Sequence, residues 1–556
     1  MGTVLIVALA VWIYAFPIFF ASVTNQLEQQ QQQQQQNGGG RMVMGDVDNA
    51  ILNERHLTTN PDVLGQTPWW TAFGHDYWGN PLLLRESAAT EESASHDTHH
   101  QHHSYFHKSW RPLTILSLRY LSTIPHVGWF SFLNNNSNNI EIDTTSTNGA
   151  LSFSPLIWAR FLNVVLHSHI SLLVGVVGSQ LLPSKWYWMH KWTEWMCCLI
   201  FLLHPSHVEA VANVANRPHL LALTFSLSTI LAYIAHNPPN QRGTNPYLTS
   251  GILWTMGLLC SETTVLQLPA VMTTVLVWKW KQGKLTIRGV WRRQRYLLRL
   301  WVVLTLVYLL IRHFLLVGGA SLWPLQLHHQ TMTPSSSLAS LTALVDTPFA
   351  DLVGWDRWRS YLYVVSIHIG KVFGVDPIGF AHEYSRGCVD PLESWNEPRG
   401  WIVLGVVFSI VTTTVDLTDR PGVPALAYLW GLALAWVGAT ILPVCGIVPV
   451  HTFVADRLLL PATVMVSWVG GYWCAGALYY ARGYKVRIPV ALVVFGFLGG
   501  FWGQRVLDRV THWTDHQLLF QKTLEACPRS PKILIQYSQF HYNPERRDQL
   551  DLRKAL

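Results

Sequence analysis

Charge is what this sequence most lacks. Only 13% of its 556 residues are Asp, Glu, Lys or Arg, about half the share with which a soluble domain clothes its surface. That shortage excludes a soluble globular protein, and a mean hydropathy of +0.19 agrees. Cysteine is scarce too, with seven in the chain. Cys197, Cys198 and Cys474 lie inside apolar runs, where a thiol serves as a small packing residue, so no disulfide framework is expected. No Lys or Arg precedes the first apolar run, and no small-x-small site closes it. Residues 1–23 are therefore expected to stay as a first membrane helix rather than leave as a signal peptide. Acid is missing from the most basic loop: Lys279 to Arg299 holds eight Lys or Arg and no Asp or Glu. The net charge of +7 thus points to cytosolic loops of a membrane protein and not to nucleic acid.

What is present is a series of apolar segments, near 155–182, 193–210, 218–235, 247–261, 264–278, 297–317, 401–418, 424–444, 457–480 and 487–505. About 20 apolar residues span a bilayer as a helix. With the first run they predict an all-α polytopic membrane protein of about eleven transmembrane helices. The pair 247–261 and 264–278 is short and broken at Ser261-Glu262, so it also reads as one bent unit. Segment 358–378 carries Arg359, His368 and Lys371 and is expected to be interfacial or re-entrant. An N-terminus in the cytosol places the three basic loops there, as the positive-inside rule asks. The far, lumenal side then receives 24–154, 318–400, 445–456 and 506–556. The sequon Asn135-Asn136-Ser137 falls there, as a glycosylation acceptor must. The 27 Trp suit belts at the two membrane interfaces.

Domain organisation follows. Residues 1–23 are the first helix. A large first lumenal loop, 24–154, holds low-complexity insertions and an amphipathic helix. Transmembrane helices fill 155–317, a lumenal or re-entrant segment 318–400, and the C-terminal transmembrane helices 401–505. The polar stretch 506–556, with Pro528 and Pro531 as punctuation, resembles the start of a helical-repeat region. A Gln29–Gln36 tract, a His-rich patch from His96 to His107 and an Asn/Ser/Thr-rich stretch from Asn134 to Gly149 are insertions by composition.

Polar groups at membrane depth are costly and ask for a reason. Three clusters stand out, all on the expected lumenal side. The first holds Asp46 and Asp48, with Asn60-Pro61-Asp62 and His75-Asp76-Tyr77-Trp78-Gly79 beyond. A carboxylate near the membrane face can take a proton from an attacking hydroxyl; the plainer reading is a solvated turn. The second is His204-Pro205-Ser206-His207-Val208-Glu209, followed by Arg217. Its His-x-Glu order lacks a second ligand pair at zinc spacing, so no metal is expected. An anionic lipid head group on the forked donors of Arg217 fits better. The third is Pro449 to Pro461, with His451, Asp456 and Arg457.

In this order the clusters resemble the transmembrane and tetratricopeptide-repeat (TMTC) family. The likeness is carried by Asp46 before Ala50-Ile51, Asn60-Pro61-Asp62-Val63 and His75-Asp76-Tyr77-Trp78-Gly79. It continues through His107-Lys108-Ser109-Trp110-Arg111-Pro112, His204-Pro205-x-His207-x-Glu209-Ala210-Val211, Arg217, Asp346-Thr347-Pro348-Phe349 and Val454-Ala455-Asp456-Arg457. The resemblance implies a GT-C-like glycosyltransferase fold in the endoplasmic reticulum membrane. It implies transfer of mannose from dolichyl-phosphate mannose to Ser or Thr of lumenal or secretory proteins, with no cofactor and no metal. Asp46 would be the base, with Asp48 as fallback, and Asp76, Lys108, Arg111, His207, Glu209, Arg217 and Arg457 would hold sugar or lipid phosphate. Three departures stand against the family pattern. Val47 separates the two acids, Ser261-Glu262 stands where a Lys-Glu is usual, and only the beginning of the repeats is in the sequence. A non-catalytic lipid-linked-sugar binder, scramblase or chaperone is the alternative, and a solute transporter a more distant one.

Overall fold

The computed structural model describes residues 8–17, 60–77, 109–123, 155–181, 187–235, 246–282, 287–317, 349, 352–382, 384–385, 387–419, 424–441, 454–481, 484–513, 516–534 and 537. Asp46, Asp48 and Lys108 lie outside the described residues, as do the Gln tract and the His-rich and Asn-rich stretches. The described residues are nearly all helical, and the one β contact among them is an isolated antiparallel bridge between Tyr384 and Val454.

The helices are α1 (Pro112–Thr123), α2 (Pro155–Leu181), α3 (Tyr187–Leu202), α4 (Val208–Ala212), α5 (Arg217–Ala235) and α6 (Pro246–Cys260). Then come α7 (Thr263–Gln282), α8 (Ile287–Val317), α9 (Gly354–Val372), α10 (Pro398–Asp419), α11 (Pro424–Ile441) and α12 (Leu460–Tyr480). The last are α13 (Tyr484–Phe495), α14 (Gln504–His512) and α15 (His516–Ala526). Each apolar segment from 155 onward is thus helical. Among the described residues five stretches are long and apolar enough to cross a membrane, and a sixth joins them if α3 and the Pro205–Ala212 piece, bent by 52°, form one span. The chain is a multi-pass membrane protein. The expected count of eleven rests in addition on shorter helices such as α6 and α10. Segments 247–261 and 264–278 are two helices, α6 and α7, turned at Ser261-Glu262. The last span runs from Lys485 through a π-helical stretch, Gly496–Gly503, on to His512.

Lipid tails are as apolar as leucine, so close packing and buried hydrogen bonds hold such helices together. Both devices are visible. Gly175 of α2 and Gly471 of α12 meet α3 so closely that a Cβ on Gly471 would sit 2.6 Å from the backbone nitrogen of Cys197. Trp254, Trp301, Trp436 and Trp468 are fully buried. Three of their indoles donate to partners on other helices: Trp468 to the Val174 carbonyl at 2.8 Å, Trp436 to Thr274 Oγ1 at 2.9 Å and Trp254 to Thr305 Oγ1 at 3.0 Å. Exposed tryptophans gather at helix ends, with Trp158 and Trp401 at the starts of α2 and α10, and Trp188, Trp192 and Trp291 at the starts of α3 and α8. That distribution suits the interfacial belts the composition suggested.

The bundle has two chemically distinct ends. At one, the basic C-terminus of α7 reaches α2, where Lys281 donates to the Gln180 carbonyl at 2.9 Å. At the other meet the start of α2, the break after α3, the starts of α5, α7 and α12, and the ends of α6, α8 and α14. All of these ends are expected to be lumenal.

One expectation about cysteine needs correction. Cys388 and Cys527 form a disulfide across 139 residues of sequence. It fastens α15 to the loop after α9, beside hydrogen bonds from Ser385 to Ser530 (2.5 Å) and from the His382 backbone N–H to Thr523 Oγ1 (3.2 Å). The bridge was illegible because neither cysteine has a near partner in sequence. Cys388→Ser is expected to cost about 2–4 kcal/mol. An earlier thermal transition in detergent and faster proteolysis of α15 would register the loss, whereas unchanged behaviour would make the bridge dispensable.

Candidate functional site

The break between α3 and α5 begins at His204. Pro205 cannot continue an α-helix, and the chain turns through Pro205–His207 with His204 capping: its Nδ1 accepts from the Ser206 backbone N–H at 3.4 Å. That acceptance fixes the proton on Nε2, which donates to the Val372 carbonyl of α9 at 2.8 Å. His207 is fully buried, and its Nε2 contacts Thr463 Oγ1 of α12 at 2.7 Å. Thr463 gives its own hydroxyl proton to the Leu460 carbonyl at 2.8 Å, so His207 is the donor. Two residues on, Glu209 points elsewhere. It accepts from the Arg457 backbone N–H at 2.9 Å and from the Arg457 guanidinium. His207 and Glu209 thus serve different neighbours, as their two-residue spacing on a helical turn requires. Among the described residues no three His, Cys, Asp or Glu side chains gather around a metal-sized position.

Arg217, the first residue of α5, is wholly buried. Its Nε donates to Asn163 Oδ1 at 2.9 Å and one terminal nitrogen to the Ala159 carbonyl at 2.7 Å, both on α2. The other terminal nitrogen is unpartnered. The guanidinium therefore braces α5 against α2. Arg111, at the start of α1, is 19% exposed and donates through Nε to Glu262 at 2.9 Å. It also lies over the Tyr77 ring, 5.2 Å from its centroid. Glu262 receives Arg312 of α8 as well, at 3.4 Å. Burial pushes the Glu262 carboxyl up, but the two guanidiniums outweigh it and hold the group below the usual carboxylate range. The cation lost from the turn at Ser261 is thus supplied by two arginines from distant elements.

The loop before α1 brings Asp76 and Tyr77 against the bundle. Both are buried, and the Tyr77 hydroxyl donates to the Ala215 carbonyl at 3.3 Å. Asp62 accepts from Thr67, from Thr71 at 2.6 Å and from His75 at 2.6 Å. Burial raises its carboxyl, and those three bonds reverse the shift and leave it low.

A second polar cluster was largely missed. Lys371 of α9, with no exposed side-chain surface, donates to Asp456 Oδ1 at 2.8 Å, Asp376 Oδ1 at 3.2 Å and Tyr384 Oη at 2.7 Å. Arg509 of α14 meets Asp376 and Asp456 from the other side and donates to the Pro205 carbonyl at 2.6 Å. Burial alone would raise the Asp376 carboxyl; Lys371 and Arg509 hold it low instead. Two cations and two carboxylates therefore close a neutral knot that ties the His204 break, α9, α12 and the last span together. Lys371 had been visible as a charge in an apolar segment. Arg509 gave no signal, because its helix was expected to end at 505.

Between α5, α7, α11 and α12 lies a small recess, partly open to solvent, with room for about one water. Its polar wall is His219, Thr263, Gln267 and Thr440. Thr263 follows Glu262, and Leu458, also in the wall, follows Arg457. Arg111 and Arg457 are thus each held by a glutamate, Glu262 and Glu209, while Arg217 is committed to α2.

The chain is 26% identical to protein O-mannosyl-transferase TMTC4 of Mus musculus over 532 residues, 90% of this chain. The human TMTC4 is likewise 26% identical over 522 residues, and Tmtc2 of Drosophila melanogaster is 31% identical over 219 residues, 38% of this chain. Over most of its length the chain is thus similar to TMTC proteins. It spans 61% of the length of the two TMTC4 proteins and 18% of Drosophila Tmtc2. No protein-family model matches it, and no solved structure does. The break at His204 and the Asp456-Arg457 turn, which both carry the resemblance, touch in this structure through Glu209 and Arg457.

Proposed function

We propose that this chain is a protein O-mannosyltransferase of the endoplasmic reticulum membrane. It would move mannose from dolichyl-phosphate mannose to Ser or Thr hydroxyls of lumenal or secretory proteins. The observation that carries the reading is a pair of arginines, Arg111 and Arg457, each paired with a glutamate at the end of the bundle expected to be lumenal. Each guanidinium is fixed by a glutamate and partly exposed, at 19% and 23%. The names of the relatives support the same chemistry. The Cys388–Cys527 bridge supports an oxidising compartment for that face.

Transfer needs the acceptor oxygen aimed at the anomeric carbon, a place for its proton, and stabilisation of charge on the departing phosphate. Asp46 would take the proton, with Asp48 as its fallback. Arg111 and Arg457 would hold the phosphate, with Lys108 beside Arg111 in sequence. Asp76 and Glu209 would keep the arginine-lined surroundings in register, and Arg217 and His207 would hold the helices that carry them. The prenyl chain would lie between spans, and in this GT-C-like scheme no metal or cofactor is required.

The test is release of dolichyl phosphate when membranes holding this chain receive the mannosyl donor and a Ser/Thr peptide. Mannosylated peptide is the expected product. Donor binding without release would convert the enzyme into a binder of lipid-linked sugar. Arg457→Lys keeps the charge but loses the fork. It is expected to lower kcat/KM about tenfold, chiefly through donor KM, and an unchanged KM would remove Arg457 from the phosphate site.

A further inference from the structure

We propose that the outward face of the first half of α8 binds an anionic phospholipid of the leaflet at the end of the bundle expected to be cytosolic. Arg292, Arg295 and Arg299 hold its head group, and the apolar continuation of the same face takes its acyl chains. The inference does not rest on the transferase reading.

The face follows from helical spacing. α8 turns Gln294, Leu297, Leu298 and Trp301 inward, all of them buried. Tyr233 of α5 fixes that rotation, donating its hydroxyl to Gln294 Oε1 at 2.6 Å. Arg292, Arg295, Tyr296 and Arg299, three and four residues apart, are then exposed together on the opposite side. Farther along, Val303 and Leu306 carry the stripe on, each 53% exposed. Only 28% of the apolar window of this helix is buried in the protein, so α8 stands at the rim of the bundle with this face toward lipid.

The charges on that face are uncompensated. At the other end of the bundle Arg111 and Arg312 meet Glu262, Arg457 meets Glu209, and Arg509 meets Asp376 and Asp456. Among the described residues no carboxylate meets Arg292, Arg295 or Arg299. Arg295 lies over the Tyr296 ring, 4.9 Å from its centroid, and donates to its hydroxyl at 3.0 Å. A leaflet with anionic head groups supplies the missing charge. Depth separates a lipid from other anions. Arg295 and Arg299 lie inside the bilayer-length stretch Gln294–Leu315, where a long basic side chain reaches back to the head groups along its apolar stem. Arg299 and Leu306 are about 10 Å apart along the axis, which suits the head group and upper acyl chain of one lipid. A nucleic acid or an acidic protein would meet Arg292 and stop at the interface.

The experiment titrates the detergent-solubilised full chain with phosphatidylserine and, separately, with phosphatidylcholine, and reads bound lipid by native mass spectrometry. Wild type is compared with a triple variant, Arg292→Gln, Arg295→Gln and Arg299→Gln, and with the same three positions changed to Lys. A basic side chain near an anionic surface is worth about fivefold. The Gln variant is therefore expected to lose roughly 100-fold in phosphatidylserine affinity and to keep its phosphatidylcholine affinity. The Lys variant should retain most of both. Glycerophosphoserine, the head group without acyl chains, should not displace the lipid. Wild-type phosphatidylserine affinity in the Gln variant, an equal loss for both lipids, or displacement by glycerophosphoserine would overturn the site. If the triple variant fails to insert, Arg299→Gln alone decides, with an expected loss of about fivefold for phosphatidylserine only.

Discussion

Replacing Arg509 by Ala is expected to cost about 3–5 kcal/mol of stability, one of the largest losses any single change outside the helix contacts should produce. The reason is arithmetic of charge. Asp376 and Asp456 are 14% and 5% exposed and share Lys371 and Arg509 between them. Removing one cation leaves a carboxylate buried without its partner, and the His204 turn loses the donor on its Pro205 carbonyl. The knot holds four separate stretches of chain, so the effect should spread. Thermal unfolding in detergent is expected to move down together with accelerated proteolysis near His204 and at α9. Arg509→Lys should recover part of the loss, since it restores the charge and not the fork. An Arg509→Ala protein with wild-type stability would show that the knot is not what closes this end of the bundle.

The second large effect concerns chemistry. Asp46→Asn is expected to lower transfer roughly 100- to 10,000-fold while membrane insertion and thermal unfolding stay at wild type. The same change at Asp48 should cost much less, if the acid placed just before Ala50-Ile51 by one position is a fallback only. Measuring kcat with a saturating donor separates this from binding. A proton acceptor acts in the chemical step, so kcat should fall with little change in donor KM. Full activity in Asp46→Asn would remove the base assignment, and loss at Asp48 alone would shift it by two residues.

Much of the fold could be read from hydropathy. Ten apolar segments from 155 onward became helices because a bilayer-length run without backbone partners has no other way to satisfy its amides. Boundaries were less legible. The last span continues to His512 past Arg505 and Arg509, because Arg509 finds two carboxylates that sequence distance conceals. The site was legible in part. The break at His204-Pro205 and the polar end of the bundle follow from residue types that are costly in a membrane. Partner choice did not follow. Arg217 looked like an anion holder, since a lone arginine opening an apolar helix has no visible mate; Asn163 and the Ala159 carbonyl are 54 and 58 residues away. Glu262 looked deprived of its cation, and Arg111 lies 151 residues off. Gln267 sat unnoticed in an apolar run because only three dimensions reveal that no described residue meets its amide.

The most direct test is a cryo-electron microscopy map of the full chain with dolichyl-phosphate mannose bound. Phosphate density within hydrogen-bonding reach of Arg111 or Arg457 is the expected result. Mannosyl-phosphate density at the opposite end of the bundle, beside the basic loop that follows Lys279, would contradict the account.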